Sequence, residues 1–290
     1  MQIQVVGGAT RRERGQEKAS APIFLVGSER SGSTLLRLML DHHPEIAFEH
    51  EFDAATLRVG DDGTFPEVND EYIAWLRSVR GVWYSIVRTL GHRELMNDFL
   101  EQKRHASGDK PHVGATVHHN FDRLPFLWPE ARYLHLLRDP RDVAPSVVQK
   151  GWAGNVYHAT EWWTEAERCF DTLRGRVAPE RLLEVRYEDL VTRPASELAR
   201  ICAFIGVEFD ANMLRYHESV QQYPPPDPKL AYQWRTKLVP EQVVLVEERA
   251  GHRLLEKGYE PSGYPVPNIG PARRELLMLD SRAKRFRHRL

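Results

Sequence analysis

The stretch 21–52, reading APIFLVGSERSGSTLLRLMLDHHPEIAFEHEF, constrains the fold of this chain more than any other. Its apolar run Ile23–Val26 predicts a buried strand, Gly27 to Thr34 a tight turn, and 35–40 the opening of a helix. A strand feeding a glycine turn and then a helix builds an anion cradle. Glycine lets backbone N–H groups come close to an anion, and the helix N-terminus adds unpaired donors with a partial positive charge.

Gly27, four residues and Gly32 match the phosphate-loop pattern G-x-x-x-x-G-K-[ST], except that Ser33 stands in place of lysine. That lysine reaches the β/γ-phosphates of a nucleoside triphosphate, so its replacement argues against an ordinary ATPase, kinase or GTPase. What remains is a cradle for a smaller anion, with Arg30 as its charged group.

The run Arg30-Ser31-Gly32-Ser33-Thr34-Leu35-Leu36, followed by Asp41-His42-His43-Pro44, resembles the 5′-phosphosulfate loop of sulfotransferases, above all the tyrosylprotein sulfotransferases and their bacterial relatives. The resemblance covers roughly 21–259. It implies a sulfuryl donor, 3′-phosphoadenosine-5′-phosphosulfate (PAPS), with the bisphosphate PAP as product and no metal ion. It also implies that Arg30, Ser31, Gly32, Ser33 and Thr34 hold the 5′-phosphosulfate.

The rest of the chain alternates strand and helix patterns. Strands are predicted at His112–Val117, Arg132–Leu137 and 181–186, and helices over 51–58, 69–80, 82–105, 120–128, 143–150, 160–176 and 240–257, with a further helix starting at Thr192. This pattern predicts an α/β fold with a mostly parallel central sheet flanked by helices, a three-layer arrangement like that of P-loop NTPases. We expect a mobile lead-in at 1–20, one domain over 21–260, and a Pro-rich exit with a basic tail over 261–290. The tail from Arg273 onward reads as a solvated charged helix or as an interaction segment for an acidic partner.

A second motif, Leu137-Arg138-Asp139-Pro140-Arg141-Asp142, is followed by Ser146. An arginine at a strand end and a serine two turns into the next helix converge on one phosphate, the first through a forked charged contact and the second as a neutral donor. Arg138 and Ser146 resemble the family's 3′-phosphate site, and Lys150 falls where tyrosylprotein sulfotransferases carry another basic ligand. By the same resemblance Tyr187, in Arg186-Tyr187-Glu188-Asp189-Leu190, lies near the nucleotide, and Ser219 corresponds to a serine approaching the phosphosulfate. The lysine expected before Trp234 is Gln233, leaving Lys229, Arg235 or Lys237 to supply the charge.

Sulfuryl transfer to a hydroxyl needs a base, a placed nucleophile and stabilisation of the departing oxygen. Two positions offer the base. Glu51 lies at the place of the catalytic glutamate of tyrosylprotein sulfotransferases and is the preferred choice; His118 lies where many other sulfotransferases carry a catalytic histidine. Thr116 occupies the expected place of the family's companion lysine, so Arg30 and a protonated His118 are the candidates for steadying the leaving group.

Composition narrows the partners. With 40 basic and 41 acidic residues the net charge is −1, which gives no global field to recruit nucleic acid. No run approaches a membrane span and no secretory leader is evident, which predicts a cytoplasmic location; Cys169 and Cys202 read as reduced core residues. The adjacent pairs His42-His43 and His118-His119 lack metal-ligand spacing. Two rival readings stand beside the sulfotransferase: a kinase or hydrolase with a degenerate loop, and a silent nucleotide-binding module, favoured by Thr116 and Gln233. The acceptor is expected to be a small-molecule or peptide hydroxyl, and neither its identity nor the oligomeric state is written in the residues.

Overall fold

All four residues of β1 (Ile23–Val26) are apolar and all four are buried, as a strand covered on both faces requires. In the computed structural model, which describes residues 21–79, 84–220, 222–266 and 268–289, β1 is the middle strand of a five-stranded sheet. Its companions are β2 (Ile46–Glu51), β3 (His112–Val117), β4 (Arg132–Leu137) and β5 (Leu182–Arg186), ordered β2-β3-β1-β4-β5 with each pairing parallel. Parallel neighbours need crossover connections, so helices are carried onto both faces.

The period of two in β1 sorts those faces. Phe24 and Val26 pack with α2 (Asp70–Ser78), α3 (His92–Ala106) and α5 (Val156–Arg176), whereas Ile23 and Leu25 pack with α1 (Ser33–Asp41) and α6 (Pro194–Ile205). Helix α4 (Pro140–Gln149) and α7 (Pro240–Ala250) meet α5 in a third apolar cluster around Trp163. The α/β layout with a parallel sheet flanked by helices is as expected.

Three sequence expectations are corrected. The segment expected to be helical over 51–58 instead ends a strand: Ile46, Ala47 and Phe48 are wholly buried in β2, and only a short turn, Asp53–Ala55, follows. The charged residues of EIAFEHEF conceal an edge strand in which Glu49 is covered along with Ile46, Ala47 and Phe48, and only His50 and Glu51 are exposed. The helix expected over 82–105 begins at His92, with Gly91 as its N-cap, while Val82 lies outside the described residues. The helix expected over 240–257 breaks at Gly251, whose φ of 59° is left-handed, and resumes at Arg253–Glu256. The lead-in at 1–20 also lies outside the described residues.

Below the sheet a charged cluster is sealed in. His135 on β4 is fully buried, with Nε2 3.2 Å from Glu167 Oε1 on α5 and Nδ1 3.5 Å from Glu184 on β5. Its ring stacks 3.6 Å from that of Phe170, and Lys257 Nζ lies 2.7 Å from Glu167 Oε2. The last helix, α8 (Pro271–Arg289), docks on the start of α5. Cys169 and Cys202 are free thiols, Cys202 in the core and Cys169 partly covered. Among the described residues no helix is long and apolar enough to cross a membrane.

Candidate active site

Parallel strands present all their carboxyl ends on one side, and the chain turns from one flank of β1 to the other there, which is where α/β sheets bind ligands. Gly27 leaves β1 into a loop in which Arg30 (φ 67°) and Gly32 (φ 98°) are both left-handed. At Gly32 only glycine fits, because a Cβ would enter the ring of Tyr187. Helix α1 starts directly afterwards with no side chain capping it, so its first N–H groups face the loop with the positive end of the helix dipole.

The second motif closes on this loop from β4. Arg138 donates from Nη1 to the Arg30 carbonyl at 3.2 Å, and its guanidinium lies 4.1 Å over the Tyr187 ring. Arg30 Nε donates to Ser146 Oγ at 3.1 Å. Asp139 accepts from the Arg141 N–H at 2.9 Å and so caps α4, which aims Ser146, two turns on, at Arg30. Burial pushes the Asp142 carboxyl above its ordinary range, against the pull of Arg138 and of the Trp234 and Gln233 N–H groups that hold it. Burial likewise raises the Tyr187 hydroxyl, with Arg138 opposing.

Two polar atoms here are left without a protein partner. Ser31 Oγ and Arg138 Nε are buried and make no hydrogen bond. Each is able to donate, and both belong to anion-binding motifs, so the residues present fit a phosphate-bearing ligand.

His118 follows β3 and stands beside the loop. Its Nδ1 is 2.8 Å from the Gly27 carbonyl, which only accepts, so Nδ1 carries the proton and Nε2 faces Ser33 Oγ at 3.3 Å with its lone pair. The backbone N–H groups of His118 and His119 both donate to Asp53 Oδ1, at 2.8 and 2.9 Å, which fixes the turn. Glu51 closes β2 opposite Thr116 and is exposed. Thr116 Oγ1 is buried and unpartnered.

Glu29 is the site residue that sequence reasoning missed. It sits 3.8 Å from His119 Nε2, and burial raises its carboxyl pKa while His118 and His119 oppose the rise and Asp53 and Glu51 add to it. The available signal was a carboxylate inside a loop built for anions.

Other expected ligands are placed elsewhere. Ser219 is not brought to the loop: its Oγ is 2.6 Å from His42 Nε2, at the far end of α1, about 13 Å from the loop by helical rise. Lys150 ends α4 exposed to solvent. Lys237, one of the three cations considered near Trp234, donates to Gln233 Oε1 at 2.9 Å. Ser33 and Thr34 open α1, half-buried beside the loop.

A cavity of about 520 Å³ opens beside His118, lined among others by Ser28, Glu29, Trp162, Arg168 and Arg249. Its charges are paired internally, Arg168 with Glu165 at 2.6 Å and Arg249 with Glu161. His118 and the loop residues Ser28 and Glu29 thus share the lining of one cavity of near-neutral charge. Among the described residues no group of three or more His, Cys, Asp or Glu is placed to hold a metal ion.

A model of the sulfotransferase family matches residues 22–211, which span the loop, both base candidates and the Arg138 motif. The chain belongs to the sulfotransferase family. It is an enzyme that moves a sulfuryl group from PAPS to a hydroxyl acceptor, and the kinase, hydrolase and silent-module readings fall away. Protein-tyrosine sulfotransferase A of Caenorhabditis elegans is 25% identical over 90% of this chain and 73% of its own length. The omega-hydroxy-beta-dihydromenaquinone-9 sulfotransferase of Mycobacterium tuberculosis is 27% identical over 50% of this chain and 40% of its own. In fold the chain is similar to the sulfotransferase domain from the Synechococcus PCC 7002 olefin synthase, with a TM-score of 0.59 at 22% identity, covering 84% of this chain and 99% of that one.

Proposed function

We propose that the sulfotransferase holds the 5′-phosphosulfate of PAPS on Arg30, Ser31, Gly32, Ser33 and Thr34, and its 3′-phosphate on Arg138 and Ser146. Tyr187 then serves as the floor beneath Gly32 and Arg138. The observation carrying this assignment is the Arg30–Ser146 hydrogen bond, which joins the two anion motifs into one clamp. The glycine spacing and the strand-loop-helix geometry support kinship of this loop with P-loop folds.

His118 is the base in this reading. The donor supplies an activated sulfuryl group; the acceptor oxygen forms a bond to sulfur as the bond from sulfur to the bridging phosphate oxygen breaks. The hydroxyl proton goes to His118 Nε2, the ring nitrogen that carries the lone pair, with the acceptor hydroxyl taking the place of Ser33 Oγ as its partner. Arg30 and the α1 N-terminus stabilise the charge that builds on the departing oxygen.

Glu51 as base is the second reading, favoured by its place on the strand end next to His118 and by the reach of its charge to Glu29. The paired charges and Trp162 of the cavity support an acceptor hydroxyl on an uncharged, partly apolar molecule or peptide side chain. Relatives named for protein tyrosine and for a hydroxylated menaquinone span that range. Transfer of label from PAPS to a library of phenols, alcohols and tyrosine peptides tests it; labelling confined to highly charged acceptors such as acidic sugars would overturn this acceptor class.

A further inference from the structure

The two faces of α8 meet different surroundings. One is docked: Asn155 Nδ2 donates to the Leu277 carbonyl at 2.8 Å and to Asp280 Oδ2 at 3.0 Å, and Gly154 N–H donates to Ser281 Oγ at 3.0 Å. Gly154 lies so close to the Ser281 backbone that a Cβ there has no room. Arg274 reaches Glu248 on α7 at 3.5 Å. The opposite face is bare. It carries Leu276, Leu279, Ala283 and Phe286, of which Leu276, Leu279 and Phe286 are 65%, 51% and 66% exposed.

At helical spacing these four positions fall within an arc about 80° wide, centred opposite Leu277 and Ser281. Asp280, Arg273 and Lys284 flank the arc on one side, Lys284 paired with Asp280 at 2.9 Å and Arg273 with Glu241 at 3.6 Å, and Glu275 and Arg282 flank it on the other. The helix holds seven Arg and Lys against two acidic residues, although the whole chain is net −1. The borders are thus mixed in sign with basic residues in excess, so an occupant of this face has to be apolar along a narrow stripe and negative on balance. A second copy docked through the same stripe of its own α8 brings the same excess of positive charge and meets repulsion.

We propose that α8 lies on the surface of an anionic phospholipid bilayer, with Leu276, Leu279 and Phe286 in the acyl boundary and Arg273, Arg282 and Lys284 among the headgroups. A stripe of large apolar side chains bordered by basic residues is the design of an interfacial helix. The helix lies on the membrane and does not cross it, in keeping with its polarity. The assignment stands on α8 alone and is independent of how the donor and acceptor are held.

Co-sedimentation of the full chain tests this, using vesicles of phosphatidylcholine alone and vesicles with about 30% phosphatidylserine, at about 0.1 and 0.5 M salt. The expected result is binding to the anionic vesicles that weakens in high salt, with little binding to phosphatidylcholine. The double variant Leu279→Glu, Phe286→Glu should lose at least about thirtyfold in vesicle affinity. Both side chains are exposed, so its thermal melt and its binding of PAP should match the parent. Three results would overturn the proposal: no preference for the anionic vesicles, equal binding by the double variant, or a parent dimer in sedimentation velocity that the variant dissociates without any vesicle binding. The last would assign the stripe to a second copy.

Discussion

Arg30 Nε donates to Ser146 Oγ at 3.1 Å across 116 residues of sequence. The contact joins the loop after β1 to the helix after β4, and with Arg138 on the Arg30 carbonyl it ties together the two motifs proposed to hold the donor. Removing either partner should therefore weaken donor binding as a unit. Arg30→Ala and Arg138→Ala should each cost about 2–3 kcal/mol in PAP affinity and Ser146→Ala about 1–2 kcal/mol. The double variant Arg30→Ala, Ser146→Ala should lose less than the sum of its parts. Calorimetric titration with PAP reads all of these, and strict additivity would separate the motifs again.

The placement of His118 makes a kinetic claim. His118→Gln should lower kcat by about 10²- to 10⁴-fold, with PAP affinity almost unchanged, while Glu51→Gln should keep most of the activity. Single-turnover transfer from labelled PAPS measures the chemical step directly. The opposite pattern would move the base to Glu51.

Gly32 is constrained twice, by a φ of 98° and by the Tyr187 ring against it. Gly32→Ala should destabilise the fold by about 2 kcal/mol and abolish PAP binding, since the loop must shift. Adding Tyr187→Ala should restore part of the stability by clearing the clash, leaving the backbone strain. Urea denaturation of the single and double variants compares them.

The His135 cluster predicts a pH dependence in the alkaline direction. Burial works against the imidazolium, but Glu167 and Glu184 outweigh it and hold the folded pKa above the ordinary histidine value. A raised folded pKa contributes stability that is fully present below about pH 6.5 and lost as pH rises through the folded value. Glu167 is shifted the other way: burial opposes its charge, His135 and Lys257 outweigh burial, and its contribution is lost only in acid. The stability difference between wild type and His135→Gln should thus shrink as pH rises above neutrality, followed by urea midpoints. Glu167→Gln should cost about 3 kcal/mol at neutral pH by leaving His135 and Lys257 with only the more exposed Glu184 and Asp171 as counter-charges.

The locally encoded parts were legible in the sequence. The glycine turn between β1 and α1, the strands His112–Val117 and Arg132–Leu137, and the Arg138 motif all depend on short-range patterns: apolar runs, glycine spacing and a cap such as Asp139. Those patterns carry their chemistry in a few consecutive residues, so the family follows from them.

The edge strand β2 was not legible, because its latter half is charged and only neighbours β3 and α1 make its first half a core element. The same dependence on distant partners governs the site. Ser219 looked like a donor ligand by position along the chain, yet packing delivers it to His42 at the far end of α1. Glu29 looked incidental, yet the turn fixed by Asp53 brings His119 against it and burial raises its pKa. Sequence determined that the chain would build a glycine turn into a helix N-terminus on a parallel sheet. The tertiary structure decided what faces it, because contacts such as Gly27 with His118 and Arg30 with Ser146 join segments about 90 to 120 residues apart, and no local pattern encodes which of them will meet.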